Sequence, residues 1–315
     1  MAANPKPRIE EHYHVYHAEA EVLSGELQHP IKQPLENYGR VAIEKTRREG
    51  HFSESVGETT VEGLISFKAA HTGVSGSLLR NKKDLWGNDH SGWVTLSTSV
   101  IEGLNVFEVI TADRVVAQVS TEHALTDGHV PKVTFLGTRF ENLQIAGYRV
   151  QPELELGICG DRPAHDQNYL YDRGFLDRVQ QQVAGIAGAK GLPESLKTQY
   201  DAEIASIDKL RKGSGQGKGS RNGQSQLQCS LVKSIGSIPI PGVKIFGNVI
   251  VIPDFGIVTL AEIEVGIEPP SEPFGQTSST PGNYFQLNMF NMRLGCVGGG
   301  SVKSGSVKAN GQSYP

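Results

Sequence analysis

The chain has 315 residues with 37 Gly and 16 Pro, and 30 Lys and Arg against 34 Asp and Glu give a formal charge of −4. Glycine at about 12% exceeds the usual ~7%, which argues against a mostly helical protein because each Gly costs about 1 kcal/mol in a helix interior. The apolar content suffices for a core and excludes a chain disordered throughout, and the near-balanced charge gives no reason to expect nucleic acid or an anionic membrane as partner.

The first twelve residues lack the apolar run of a secretory signal, so the chain is expected to be cytoplasmic. Glu10-Glu-His-Tyr-His-Val-Tyr-His follows. On a strand, His12 and His14 share one face about 7 Å apart, with Tyr16 after them and His17 on the other face. Two imidazoles so placed can begin a Zn or Fe site, while a strand whose histidines merely pack or meet solvent is the plainer reading. A helix would pair His14 with His17 instead.

From His12 to about Gly157 apolar residues alternate, as in Val106–Val119 and Phe140–Leu154. That period predicts half-buried strands. Val61-Glu-Gly-Leu, Ile101-Glu-Gly-Leu and Phe140-Glu-Asn-Leu recur at spacings of 40 and 39 residues. Gly or Asn at the third position suits a bulge or turn. Thr126-Asp-Gly-His predicts a hairpin turn that could bring His123 and His129 together, with Glu122 or Asp127 as oxygen donors. Asp161, Asp166 and Asn168 read as caps of a following helix.

Leu176, Val179, Val183 and Ile186, then Leu196, Tyr200, Ile204, Ile207 and Leu210, have helical spacing. They predict an αα-hairpin, with Pro193 in the first turn of its second helix. Such a hairpin could cover a sheet edge. A Gly/Ser-rich linker from Gly213 follows, and Lys209, Arg211, Lys212, Lys218 and Arg221 form the one local basic run, without aromatic residues for base stacking. Alternation returns from Leu231 to Val265. A Pro/Ser-rich loop, residues 268–282, then leads to a strand from Tyr284 to Leu294. The tail from Gly298 holds two five-residue echoes, Ser301-Val-Lys-Ser-Gly and Ser306-Val-Lys-Ala-Asn, and reads as an edge strand or a frayed arm.

Lys244, Asn248, Pro253 and Asp254 break the most apolar stretch, so no transmembrane helix is expected. Cys159, Cys229 and Cys296 are odd in number and far apart, which suits buried thiols in a reducing compartment. The linker fails the phosphate-loop spacing, and neither a nucleophile elbow nor a dinucleotide fingerprint occurs.

Val100-Ile-Glu-Gly-Leu-Asn-Val, Thr111-Ala-Asp-Arg-Val-Val-Ala, Phe140-Glu-Asn-Leu-Gln-Ile-Ala-Gly-Tyr and Ile252-Pro-Asp-Phe-Gly-Ile-Val-Thr-Leu-Ala-Glu together resemble a group of bacterial hypothetical proteins. The resemblance covers roughly residues 60–297, places a helical insertion in the same region, and implies no activity, cofactor or site. A looser likeness is to Gly-rich β modules of bacterial surface proteins.

The expectation is a mainly β protein, an antiparallel β-sandwich or jelly-roll-like body with an inserted αα-hairpin. Residues 1–160 form its first part, 161–226 the insertion with its linker, and 227–315 the second part with the Gly-rich tail. The leading functional expectation is a non-enzymatic, cytoplasmic structural or interaction protein that self-assembles through strand edges or the helical hairpin. Its partner would be itself or another protein, with neither membrane nor nucleic acid. The alternatives are a metal-dependent enzyme holding Zn or Fe through His12, His14, His123 and His129, and a binder of an apolar small molecule between the sheets.

Overall fold

The computed structural model describes residues 13–28, 32–80, 91–125, 130–164, 168–213, 226–268, 282–295, 299–309 and 312–314. The first alternating region forms β1 (Tyr13–Leu27), β2 (Gln33–Tyr38), β3 (Val41–Thr46), β4 (Gly50–Val56), β5 (Thr59–Val61), β6 (Ile65–Phe67), β7 (Ala69–Leu79), β8 (Gly92–Val106) and β9 (Ile110–Ala124). Short pieces follow: β10 (Lys132–Thr134), β11 (Arg139–Glu141), β12 (Gln144–Ile145), β13 (Tyr148–Arg149) and β14 (Glu153–Leu154). The helices α1 (Arg173–Ala187) and α2 (Glu194–Gly213) precede β15 (Gln226–Ser230), β16 (Val232–Ser234), β17 (Lys244–Phe246), β18 (Val249–Ile252), β19 (Gly256–Glu268), β20 (Gly282–Leu294), β21 (Gly300–Ala309) and β22 (Gln312–Tyr314).

These strands build two antiparallel sheets and a small β14–β16 ribbon. One sheet runs β17-β18-β19-β20-β21-β1-β2, with β15 on β19 and β3 and β22 on β1. The other runs β13-β12-β9-β8-β6-β5, with β7 on β8, β4 outermost on β7, and β10 and β11 on β9. The sheets face one another as a sandwich, β1 over β7 and β8, and β21 over β8 and β9. The echoed motif acts as expected: Gly63, Gly103 and Asn142 all have positive φ, at 67°, 63° and 51°.

Across the interface β1 and β21 come close to β7, β8 and β9, near enough for short side chains to reach the backbone of the opposite sheet. Short hydroxyl side chains there bond across the gap. Ser97 donates to the Lys308 carbonyl at 2.8 Å, Ser99 to that of Glu21 at 3.0 Å, and Thr72 to that of Gly39 at 2.8 Å. Buried hydroxyls thus obtain partners that water would otherwise supply.

The tail corrects the sequence expectation. Its main strand, β21, is no edge strand: it lies between β20 and β1, hydrogen-bonded to both, while β22 after it has β1 as its one ladder partner among the described residues. Its echoes record a step in the pleat. Val302 and Ser304 are buried, and after Gly305 the buried apolar residues are Val307 and Ala309, with Ser306 buried as well. Phe285 and Leu287 change to Phe290 and Met292 in β20, and β1 and β19 change parity in the same row. The ladder omits Val22, Gly305, Met289 and Ala261 together, and Gly305 (φ 63°) and Ala261 (φ 44°) adopt left-handed backbone. Four residues, an even number, therefore separate the inward Val302 and Val307, where regular alternation would require an odd number.

The helices form where their spacing predicts. Phe175, Leu176, Val179 and Val183 of α1 and Ile207 of α2 join the core with Leu227, Cys229 and Ile263. The caps differ from expectation. Asn168 accepts from Leu170 N–H in a short 3-10 turn, Asp172 accepts from Phe175 N–H to cap α1, and Asp161 is exposed. Pro193 stands just before α2, its carbonyl accepting from Lys197 N–H at 2.9 Å. Among the described residues no helix is long and apolar enough to cross a membrane. Asp166, the Thr126–His129 turn, the linker from residue 214 and the loop at 269–281 lie outside the described residues.

Candidate functional site

Two of the four candidate metal ligands meet inside one end of the sandwich. β1 carries His14 inward, and β9 carries His123 opposite Trp93 of β8. The rings of His14 and His123 are 4.7 Å apart between centroids, tilted by 56°. His14 also stacks on Trp93 at 5.4 Å and 11°, and meets Tyr16 edge-on at 4.8 Å. His14 is 3% exposed and His123 0%. Below them Thr95 pairs with Thr121 across β8 and β9, both fully buried.

The local folding follows from β1 being a central strand rather than a solvated arm. His14 and Tyr16 lie on its inward face, as strand alternation requires. His17 turns outward and bonds Glu19 at 3.1 Å, while Arg40 bonds the other Glu19 oxygen at 2.9 Å. The His17 contact and Arg40 hold the Glu19 carboxyl down to about 2 against the opposing effect of burial. His14 is pushed well below its ordinary value of 6.5, first by burial and then by His123. Its neutral imidazole keeps a lone pair for a metal or a proton donor.

His12 and His129 lie outside the described residues, as does Asp127. Glu122 pairs with Lys132 in the ladder and is only part-buried. Among the described residues no three of His, Cys, Asp and Glu come together as a metal set. The contributions of Trp93, Thr95 and Thr121 carry no local sequence signal, since their only mark is being opposite or beneath His123 in the folded ladder.

A second polar cluster lies beneath the helices. A cavity of about 20 Å³, room for one water, is lined by Tyr200, Glu203, Gln228, Cys229, Asn248 and Glu262 among others. Burial raises the Glu203 carboxyl although its oxygen accepts from Gln228 N–H at 2.6 Å. Glu262 accepts from Asn291 at 2.6 Å. Of the basic run, Arg211 pairs with Asp177, and Lys218 and Arg221 lie outside the described residues.

No curated protein and no solved structure matches the chain. Residues 14–266 match the family described as Domain of unknown function (DUF8256). The match begins at His14 in β1, includes both helices and ends within β19, well over half of the 315 residues. The chain belongs to that family.

Proposed function

We propose that this protein is a non-enzymatic structural or interaction module of the cytoplasm that assembles through its sheet edges. One contrast carries the reading. The edge of β15 is sealed by side chains of α1 and α2, whereas the five central residues of β4, the outermost strand of the other sheet, are all exposed. An uncovered edge presents unpaired backbone groups to another strand. Two buried free thiols fit a reducing compartment, with burial pushing the Cys159 thiol up to about 12 and making it inert.

A second reading, a metal-dependent enzyme using Zn or Fe, is favoured by the meeting of His14 and His123. A binder of an apolar small molecule between the sheets is disfavoured by the hydroxyl contacts that close the middle of that interface. Metal analysis combined with light scattering separates the first two. A defined oligomer without stoichiometric metal supports assembly. Stoichiometric Zn or Fe that is lost in a His14→Ala, His123→Ala double variant contradicts it.

A further inference from the structure

The longer sheet edges among the described residues carry devices against strand addition, with one exception. α1 and α2 block β15 through Gln182 and Glu203. β2 contains Pro34, β3 contains Lys45, and β17 opens on Lys244 after Pro239 and Pro241. Proline, lysine and covering helices are the usual protections of an edge, and very short strands such as β5 need none. β4 has seven residues with neither Pro nor Lys, and β7 is its one ladder partner among the described residues. Phe52 stands opposite the buried Val74 on the inward side, yet it is 52% exposed. Its ring lies across Gly50, where a Cβ would be 3.1 Å from Cε2.

Resting on the assembly reading above, we propose that β4 pairs antiparallel with β4 of a second copy of this chain, about a two-fold axis that sets Phe52 opposite Phe52. Opposed residues in an antiparallel pair belong to the same hydrogen-bonding class. The axis of a self-paired strand must therefore pass through a residue. An axis at Glu54 opposes two carboxylates, which repel. An axis at Ser53 sets Phe52 against Glu54 twice. Axes nearer either end pair three residues or fewer. At Phe52 the two rings form an aromatic cross-strand pair, the uncharged Gly50 stands opposite Glu54, and Glu54 lies diagonal to Arg48 of the second copy, an exposed residue in the turn before β4. Charge complementarity thus occurs twice by symmetry, flanking the ring pair.

Cysteine cross-linking tests the register. In a Cys296→Ser background, whose Cys159 and Cys229 are buried, Phe52→Cys and Ser55→Cys are oxidised separately. Opposed Cα atoms at ~5 Å suit a disulfide, whereas the two Ser55 positions would be offset by about 20 Å. The expected result is dimer formation at least ~10-fold faster for Phe52→Cys. Equal or faster cross-linking at Ser55, or none at Phe52, overturns the register. If the wild type still sediments as a dimer in that case, assembly survives by another contact. A wild-type monomer at about 100 µM overturns both.

Discussion

The side-chain amide of Gln182 acts as a strand toward Ser230: its oxygen accepts from Ser230 N–H at 2.7 Å, and its nitrogen donates to the carbonyls of Ser230 at 3.0 Å and Val232 at 3.2 Å. One residue of α1 thus satisfies two backbone groups of Ser230, at the end of β15, that would otherwise be offered to another chain, and a third at Val232 in β16. Gln182→Ala leaves them without these partners, and unmade buried hydrogen bonds cost about 1–3 kcal/mol. The expected outcome is a lower urea midpoint together with new high-mass species in light scattering. An unchanged midpoint would mean that the helices seal this edge by packing alone.

His14 gives stability a pH dependence of definite sign. Its folded-state value lies below its ordinary 6.5, so the unfolded chain takes up the proton first. Stability is full above about pH 6.5 and declines as pH falls from there toward the depressed folded value. Urea midpoints at pH 8, 6 and 5 should fall in that order. His14→Phe, which keeps a ring against Trp93, should flatten the decline, and a slope that persists unaltered assigns it to other groups.

Glu19 contributes in a separate window. Held down to about 2 from an ordinary 4.5, it stabilises the fold above pH 4.5, and that stability is lost as pH falls through the range toward 2. Glu19→Gln should therefore lower stability at neutral pH and weaken the acid response between pH 4.5 and 3. Equal responses in variant and wild type would contradict the ion-pair assignment.

Gly305 carries the pleat step of β21. A Cβ there would lie 3.2 Å from both Cβ and Cγ of Met289, at a φ of 63° that disfavours side chains. Gly305→Ala should cost about 1–2 kcal/mol, measured by urea unfolding. Gly57, where an added Cβ meets nothing within 4 Å, provides the matched control, and equal effects at both sites would refute a strained pleat step at Gly305.

Much of this architecture was legible in the sequence because it is written in local periods. The three- and four-residue spacing from Leu176 to Leu210 marks both helices, and Gly63, Gly103 and Asn142 mark chain reversals or bulges. The place of β21 inside the sheet is hidden for a physical reason: its five-residue echo breaks strand alternation, and the ladder step at Gly305 that reconciles it involves Val22 of β1, Met289 of β20 and Ala261 of β19 as well. The hydroxyls at Thr95, Ser97 and Ser99 face inward, against the rule that polar residues face water, because the opposing sheet approaches closely. His14 and His123 were each visible as candidates, but their meeting depends on β1 lying over β8 and β9, and a neighbour across two layers leaves no mark in the local pattern.

Sedimentation velocity on the wild type and on Phe52→Lys, with bound metal measured on the same samples, bears on the whole proposal. The wild type should sediment at about twice the 34.1 kDa of one chain, free of stoichiometric metal, and Phe52→Lys should sediment as a folded monomer. A wild type that remains monomeric with one Zn or Fe per chain would contradict assembly through β4 and favour the His14–His123 pair as the working centre of the protein.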